Sequence, residues 1–386
     1  MEKSCLLCHI RAAFYSALRY LLKDFYFYFL LDIHQSQDAV EETIEAAFAW
    51  DSAPVPAQIR VKQKTQRSKK KAKRWRWKKK PAGKDSYLEL FSSEKHDVTE
   101  EVLISVFASS PHKCKTTIIS AYYKIRSKHS HAEYLEWMTN LLTIKDCIVV
   151  FVHQDQESAI RELRPPEYPL IIIPFEIESF LMSSLVSIEE WKQQEERDPE
   201  QNIGHNRDLY KVWNEKTNMM KITSVHNPFL SSYFIWMDIG SMRKSDHNHQ
   251  QMVKNIPKEK GILLLLVKEF TDEEMVLVEG KSLAELSEIE ARIGGGAIGG
   301  DKQSLEIWHK AFYRTIRSYL DEGKFIGKDQ NMMATTCLES DMCLLVHGHG
   351  DEDNGIPNQW FMMQQWLRGE LADGYTRLDV KTENKN

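Results

Sequence analysis

From Cys114 onward, the chain alternates short apolar runs with segments in which apolar residues recur at helical spacing. The run Thr116–Tyr122 is rich in β-branched residues, which favours a strand. The runs Cys147–Val152 and Leu170–Pro174 are apolar at almost every position, as expected for strands buried on both faces of a parallel sheet. The same reasoning predicts three further strands, at Tyr233–Ile239, Gly261–Val267 and Met342–Val346.

Helical patterns separate these runs. In Ala132–Leu142, apolar residues such as Tyr134, Trp137 and Leu141 recur at helical spacing, and Ser304–Tyr319 repeats the pattern. Strands that alternate with helical connections pair in parallel, so we predict an α/β domain. The fold class that follows is a single doubly wound, mostly parallel sheet flanked by helices. Ligands of such sheets bind beyond the carboxyl ends of the strands. This rule selects four segments: 121–126, 153–155, 238–243 and 347–351.

The strand Tyr233–Ile239 carries one carboxylate, Asp238, to its carboxyl end, and Gly240 then frees the backbone to turn. A carboxylate at this position suits a hard divalent cation that bridges a diphosphate. An aspartate that only caps the following turn would produce the same pattern.

Five glycines fall within the seven residues Gly294–Gly300, directly before a helical pattern. We predict a glycine-rich loop whose backbone amides approach an anionic or polyhydroxyl ligand. The alternative is a flexible connection, since neither the dinucleotide fingerprint nor the P-loop pattern is present. The candidate contacts with a ligand are Gly295, Gly296, Gly299 and Gly300.

Charged residues at two predicted helices are further candidates. Asp329 lies at a predicted helix start, where it either caps the helix or points into a site, with Lys328 and Gln330 beside it as candidate substrate contacts. Lys216 closes the helical segment Asp208–Lys216. It either reaches a phosphate or is an ordinary surface lysine.

Histidines and cysteines offer weaker candidates for metal sites. His347 and His349 alternate after the last predicted strand and can bind a metal, although such pairs also arise by chance. Six cysteines are sparse for 386 residues, so we expect no disulfide framework. Cys147 is expected to be a small buried residue. Cys5 and Cys8 have metal-ligand spacing without a second ligand pair nearby.

Charge is unevenly distributed along the chain. The net charge of -5 argues against nucleic acid as a general partner. Residues 62–84 are strongly basic and include Trp75 and Trp77, a pattern that suits contact with an anionic membrane. Stacking on nucleic acid and a solvated tail that binds neither partner are the alternatives.

Composition divides the chain into five segments. They are a poorly ordered apolar and acidic helical extension (1–51), a basic disordered linker (52–86), a lead-in segment (87–113), the α/β domain (114–370) and a polar tail (371–386). Residues 10–33 are apolar but interrupted by charges, and their clean run is far shorter than the roughly 20 residues that span a membrane. We expect an apolar helix lying on the domain or on a membrane surface; a degraded signal anchor is the alternative.

Five segments, taken in order, resemble the HtrL/YibB family, which is similar to glycosyltransferases of the GT-A fold. The resemblance covers roughly residues 114–366. The matching segments are Thr117–Tyr123, Leu209–Lys216, Asn227–Phe229 leading into Phe234–Arg243, Gly294–Gly300 and Phe325–Asn331.

The resemblance implies a nucleotide-sugar-dependent glycosyltransferase that transfers a sugar to an unknown glycan or protein acceptor. It implies that Tyr122 lies where the nucleotide is held and that Asp238 binds Mn²⁺ or Mg²⁺ on the diphosphate. It also implies that Asp329 is the catalytic base or orients the sugar, while the glycine segment lines the pocket. The residues that would neutralise the leaving diphosphate are Lys216, Arg243 and Lys328.

One departure from the family pattern affects this expectation. GT-A enzymes usually carry Asp-x-Asp at the strand end, whereas this chain has Asp238-Ile239-Gly240. Asp246 or the pair His347 and His349 substitutes for the missing ligand, or the site is metal-free. The missing aspartate favours the alternative function, a non-catalytic member that binds a glycan or a partner. The resemblance points to the secretory pathway or a membrane-associated location, with the cytoplasm as the alternative.

Overall fold

The computed structural model describes residues 112–126, 129–198, 200–277, 290–348, 359–371 and 374–382. All of them belong to the second of the two units into which the chain divides, Gly83–Asn386. The predictions for the N-terminal extension, the basic segment 62–84, Cys5, Cys8 and His349 lie outside the described residues.

The described residues form ten strands. They are β1 (Thr116–Tyr122), β2 (Cys147–Val152), β3 (Leu170–Pro174), β4 (Tyr233–Met237), β5 (Ile262–Leu266), β6 (Val276–Leu277), β7 (Ile293–Gly300), β8 (Cys343–His347), β9 (Thr376–Arg377) and β10 (Lys381–Thr382). The main sheet has eight strands in the order β3-β2-β1-β4-β7-β5-β8-β9. The strands β3, β2, β1 and β4 are mutually parallel, as are β5 and β8. The predicted mostly parallel sheet is therefore confirmed.

The described residues also form eight α-helices. They are α1 (His131–Leu142), α2 (Glu157–Leu163), α3 (Leu181–Leu185), α4 (Ile188–Arg197), α5 (Arg207–His226), α6 (Lys302–Asp321), α7 (Asp329–Leu338) and α8 (Met362–Arg368). Within the described part of the chain, none of these helices has the length and hydrophobicity needed to cross a membrane.

Helices cover both faces of the sheet. Successive strand residues point to opposite faces, so Ile119 of β1 enters one core while Ile118 enters the other. The first core contains residues of α3 to α7, for example Trp191 and Trp308. The second contains residues of α1, α2 and α8, for example Trp366. This double coverage explains why the central strands are apolar at nearly every position.

The glycine-rich segment corrects one prediction. Residues Ile293–Gly300 form β7, a strand rather than a loop, and β7 is antiparallel to both of its neighbours, β4 and β5. A β-carbon on Gly299 would lie 2.9 Å from the Tyr233 hydroxyl oxygen, and one on Gly300 would lie 2.9 Å from Ile262 Cδ1. These glycines let large side chains of the adjacent strands pack across β7. Pairing on both sides outweighs the low strand propensity of glycine.

The cysteines correct a second prediction. Cys114 is disulfide-bonded to Cys147, and Cys337 to Cys343. Cys147 opens β2, and its register partner on β1 is Thr117, so the parallel pairing brings Cys114 close. Spacing along the chain does not reveal this contact, because the strand pairing creates it.

Candidate functional site

Three charged side chains meet at the carboxyl edge of the sheet. Lys216 projects from α5, Asp238 directly follows β4, and Asp329 begins α7. The Lys216 Nζ atom lies 3.0 Å from Asp238 Oδ1 and 2.9 Å from Asp329 Oδ2. Residues from three separate parts of the chain therefore form one ionic cluster.

Lys216 is the centre of this cluster and is buried, with its side chain 4% exposed. Its ammonium group also donates a hydrogen bond of 2.9 Å to the carbonyl oxygen of Gly295. The ammonium therefore has two carboxylates and one carbonyl oxygen around it, the carboxylates as ion-pair partners and the carbonyl as a hydrogen-bond acceptor. Burial alone lowers the pKa of Lys216, but Asp238 and Asp329 outweigh this effect and raise the pKa above its ordinary value. The two carboxylates therefore favour the charged form of the lysine.

Asp238 is the open member of the cluster, with its side chain 42% exposed. The indole Nε1 of Trp236 donates a hydrogen bond of 2.7 Å to Asp238 Oδ1. The backbone N–H of Asp238 donates to the carbonyl oxygen of Gly296 at 2.9 Å, which fixes the residue where β4 ends. One side of the carboxylate is held by the protein, and the rest is accessible to a ligand.

Asp329 is the closed member, with its side chain only 5% exposed. It is the first residue of α7, and Lys328 occupies the N-cap position, so of the two alternatives for Asp329 the structure does not show the helix cap. Burial raises the pKa of Asp329 more than Lys216 lowers it, and nearby Asp238 raises it further. Its carboxylate contacts the Lys216 ammonium within the protein interior and does not face solvent.

An irregularity in β7 completes the cluster. Between β7 and β5 the register shifts from Leu264 paired with Ile298 to Leu265 paired with Gly294, which leaves residues 295–297 outside the ladder. Such bulges redirect backbone groups, and here the Gly295 carbonyl points at Lys216. A β-carbon on Gly295 would lie 2.9 Å from Asp329 Oδ2.

Gly296 borders open space. A β-carbon built on it would have only Asp238 Oδ2 within 4 Å, at 3.7 Å. The glycines of the predicted loop thus divide into two groups. Gly295 and Gly296 lie at the cluster, whereas Gly299 and Gly300 lie at the other end of β7, where they pack against neighbouring strands.

Tyr122 ends β1, the neighbour of β4. The β1–β4 register pairs Ile119 with Trp236, so Tyr122 reaches the same edge of the sheet as Asp238. Its hydroxyl shares a hydrogen bond with His131 Nδ1, and its ring centroid lies 6.2 Å from that of Tyr134. Burial, with a smaller effect from Tyr134, raises the pKa of Tyr122 to about 12, so the phenol is neutral.

Arg243 and Gly240 pack on the same aromatic group. The Arg243 guanidinium carbon lies 3.3 Å from the ring centroid of Trp137, a close cation–π contact. A β-carbon on Gly240 would lie 3.0 Å from Trp137 Cε3. Gly240 therefore permits a close approach of the turn after β4 to α1. Arg243 is exposed, so its positive charge is accessible to a ligand.

Lys328 and Gln330 flank Asp329 at the start of α7, and both are partly buried. Lys328 forms an ion pair with Glu200. Glu200 belongs to a group, with Asp198 and His205, in which the potential ligand atoms lie within 4.8 Å of one another.

The group formed by Asp198, Glu200 and His205 was not predicted from the sequence. Asp198 Oδ2 lies 2.9 Å from His205 Nδ1 and accepts a 2.5 Å hydrogen bond from the Tyr210 hydroxyl, while Oδ1 accepts one from the backbone of Glu200. These bonds already occupy Asp198, and no sequence motif marks the group. Trp236 was also missed as a site residue, although its position two residues before Asp238 places both on one face of the strand.

His347 lies away from the cluster. It is on β8, separated from β4 by β7 and β5, so three strand spacings of roughly 14 Å in total intervene. Its ring nitrogens contact Glu269 at 3.0 Å and Thr376 at 2.7 Å. It lines a cavity of about 140 Å³ at that end of the sheet. Asp246, the other proposed substitute ligand, is exposed in the segment after β4.

The cluster does not fit a divalent cation held between Asp238 and Asp329. The Lys216 ammonium already lies between these carboxylates, where it would repel a second cation. Among the residues that the structure describes, the only group of three or more metal-ligating side chains is that of Asp198, Glu200 and His205. The predicted cation at Asp238 stays a prediction, and only the exposed side of that carboxylate is open to it.

Fold and site together define an α/β domain with a mixed sheet and a charged cleft at the carboxyl edge of its parallel strands. Residues 114–354, more than half of the chain, match the family described as "Bacterial protein of unknown function (HtrL_YibB)". The chain belongs to the HtrL_YibB family. No curated protein matches it significantly.

Proposed function

We propose that this domain is a nucleotide-sugar-dependent glycosyltransferase that transfers a sugar to a glycan or protein acceptor. One observation carries the proposal: Asp238 presents an accessible carboxylate at the carboxyl edge of the parallel strands, beside the open surface of Gly296. Edges of this kind are where α/β sheets bind their ligands. The exposed Arg243 lies along the same edge and suits a diphosphate, and Tyr122 ends the neighbouring strand there.

Glycosyl transfer requires three changes that this site can support. The acceptor hydroxyl loses its proton, its oxygen bonds to the anomeric carbon, and the bond from that carbon to the phosphate oxygen breaks. The nucleoside diphosphate leaves with additional negative charge, which Arg243 can stabilise. We assign proton acceptance to Asp238 rather than Asp329, because a general base must reach the acceptor and Asp329 is buried behind Lys216.

A non-catalytic role in binding a glycan or a partner is the second candidate. It is favoured by the fact that both carboxylates already form ion pairs with Lys216, a structural role that does not require catalysis. This reading predicts ligand binding without turnover.

The test is calorimetric titration of the full chain with a panel of nucleoside diphosphates and nucleotide sugars, followed by an assay for release of nucleoside diphosphate. We expect Asp238→Asn to lower the rate of release by roughly 10²- to 10⁴-fold, the usual contribution of a general base, while the protein stays folded.

The matched control is Asp341→Asn. Asp341 is an exposed aspartate before β8, at the opposite edge of the sheet, and its replacement should leave both readouts unchanged. Binding without release in the wild-type protein would support the non-catalytic reading. Absence of binding for every nucleotide, in a folded protein, would refute the transferase proposal.

A further inference from the structure

The ammonium of Lys216 occupies the position that a bridging metal ion would take. It lies 3.0 Å from Asp238 Oδ1 and 2.9 Å from Asp329 Oδ2, and it donates a hydrogen bond to the carbonyl oxygen of Gly295. A divalent ion bound to the same two oxygens would need ligand distances of about 2.0–2.6 Å and would fill almost the same volume. The two occupants are therefore mutually exclusive.

The surroundings of Lys216 hold it in place. The side chain is 4% exposed, and the Trp236 ring centroid lies 5.9 Å from Nζ, which adds a cation–π contact. Gly295 contributes its carbonyl through the bulge in β7, and its missing β-carbon leaves room for Asp329. Fixed acceptors on three sides give the ammonium no free direction toward solvent, so Lys216 does not itself reach a phosphate.

The exposed side of Asp238 is a poor alternative position for a metal. An ion there would lie close to the Lys216 ammonium, which contacts the same carboxylate and would repel the ion. Among the described residues, no group of three metal-ligating side chains includes Asp238 or Asp329. A ligand at Asp238 therefore meets a carboxylate that already forms an ion pair with the Lys216 ammonium.

We propose that Lys216 is a positioning residue whose built-in cation replaces the divalent ion between Asp238 and Asp329, so that ligands bind at this site without a metal. The ammonium holds the Asp238 carboxylate in one orientation and neutralises the repulsion between the two acids. The part that concerns donor binding rests on the proposed function. The part that concerns the cation does not.

The experiment removes the ammonium and asks whether a metal takes its place. Free Mn²⁺ is measured by electron paramagnetic resonance during titration of the full chain, for wild type, Asp238→Asn, Lys216→Ala and Lys216→Ala with Asp238→Asn. We expect the wild type to show no Mn²⁺ binding that depends on Asp238. Lys216→Ala should bind Mn²⁺ at least about tenfold more tightly than wild type, because two carboxylates are left without a counter-charge. The added Asp238→Asn change should abolish that gain.

Lys310→Ala is the matched control. It removes the same charge from the exposed surface of α6, where Lys310 pairs with Glu306, and it should not create a Mn²⁺ site. Should Lys216→Ala fail to fold, Lys216→Met preserves side-chain length, and the comparison of wild type with Asp238→Asn still decides the question.

Mn²⁺ binding by wild type that is lost in Asp238→Asn would overturn the proposal. Failure of a folded Lys216→Ala protein to gain a site would also overturn it. In a separate arm, nucleoside diphosphate binding should be equal in EDTA and in MgCl₂. If no nucleotide binds at all, the proposed function fails, while the Mn²⁺ titrations still test the built-in cation.

Discussion

Two consecutive residues of α5, Glu215 and Lys216, are ionisable and almost completely buried. Lys216 serves the charged cluster, whereas the Glu215 carboxylate accepts backbone hydrogen bonds from Leu181 and Met182 at 2.9 and 3.0 Å. Those N–H groups begin α3, so Glu215 caps a helix that is distant in the sequence. From the sequence, Lys216 was expected either to contact a phosphate or to be a surface lysine, and no role was expected for Glu215. Helical spacing cannot show which tertiary partners a residue meets, so neither observed role was predicted.

Glu215 should make the stability of the domain fall as pH rises from about 4.5 to about 7. Burial raises the pKa of Glu215 from 4.5 to about 7, against the lowering effect of its hydrogen bonds. Within this window the native state binds more protons than the unfolded state, so stability decreases with pH. The slope is at most about 1.4 kcal/mol per pH unit. Glu215→Gln should remove this contribution, as measured by denaturant unfolding across the window.

The readout is the difference between the two pH profiles, not the stability at any single pH, because glutamine also changes the hydrogen bonds to α3. Glu178→Gln, at an exposed carboxylate nearby, controls for the loss of a negative charge. Parallel profiles for wild type and Glu215→Gln would contradict the prediction.

At the scale of elements, β7 is the strand that shapes the site, and its local sequence argued against a strand. Its glycine content indicated a loop, but β4 and β5 pair with it on both sides. The bulge near Gly295 interrupts the ladder at the place where the carbonyl meets Lys216. Local propensity and tertiary pairing disagree here, and disagreement of this kind is common at functional sites.

Gly295→Ala tests whether the absence of a side chain on β7 is required. The new β-carbon would lie 2.9 Å from Asp329 Oδ2, which Lys216 holds in place. We expect a loss of about 1–3 kcal/mol in the free energy of unfolding, typical of overpacking. The loss is measured by denaturant melts. Gly374→Ala is the control, because no atom lies within 4 Å of its added β-carbon. Equal stability of the two variants would show that Asp329 moves aside without cost.

At the scale of the molecule, strand order brings the charged cluster together at one edge of the sheet, and two disulfides link elements at the opposite edge. The cluster combines β4, β7 and two helices that lie far apart in the sequence. The Cys114–Cys147 bond ties the beginning of β1 to that of β2, while Cys337–Cys343 joins the end of α7 to β8. Such bonds form where the chain folds under oxidising conditions.

Peptide mapping without reduction should recover both disulfides. The bond between Cys114 and Cys147 closes a separation of 33 residues, for which chain entropy alone predicts about 3–4 kcal/mol of stabilisation. The double variant Cys114→Ala with Cys147→Ala should therefore melt at a lower temperature than wild type. Reductant should lower the melting temperature of wild type more than that of the variant. Four free thiols at these cysteines in the oxidised, denatured protein would contradict the pairing.

The sequence by itself determined the parallel framework, because apolar runs that alternate with helical patterns leave few other ways to bury their side chains. It also placed Asp238 at a strand end and Asp329 at a helix start. Tertiary structure alone decided that glycines form β7, that the cysteines pair, and that Lys216 lies buried between two carboxylates. The physical reason is that strand pairing, covalent bridging and ion pairing depend on residues far apart in the chain, which local patterns do not connect.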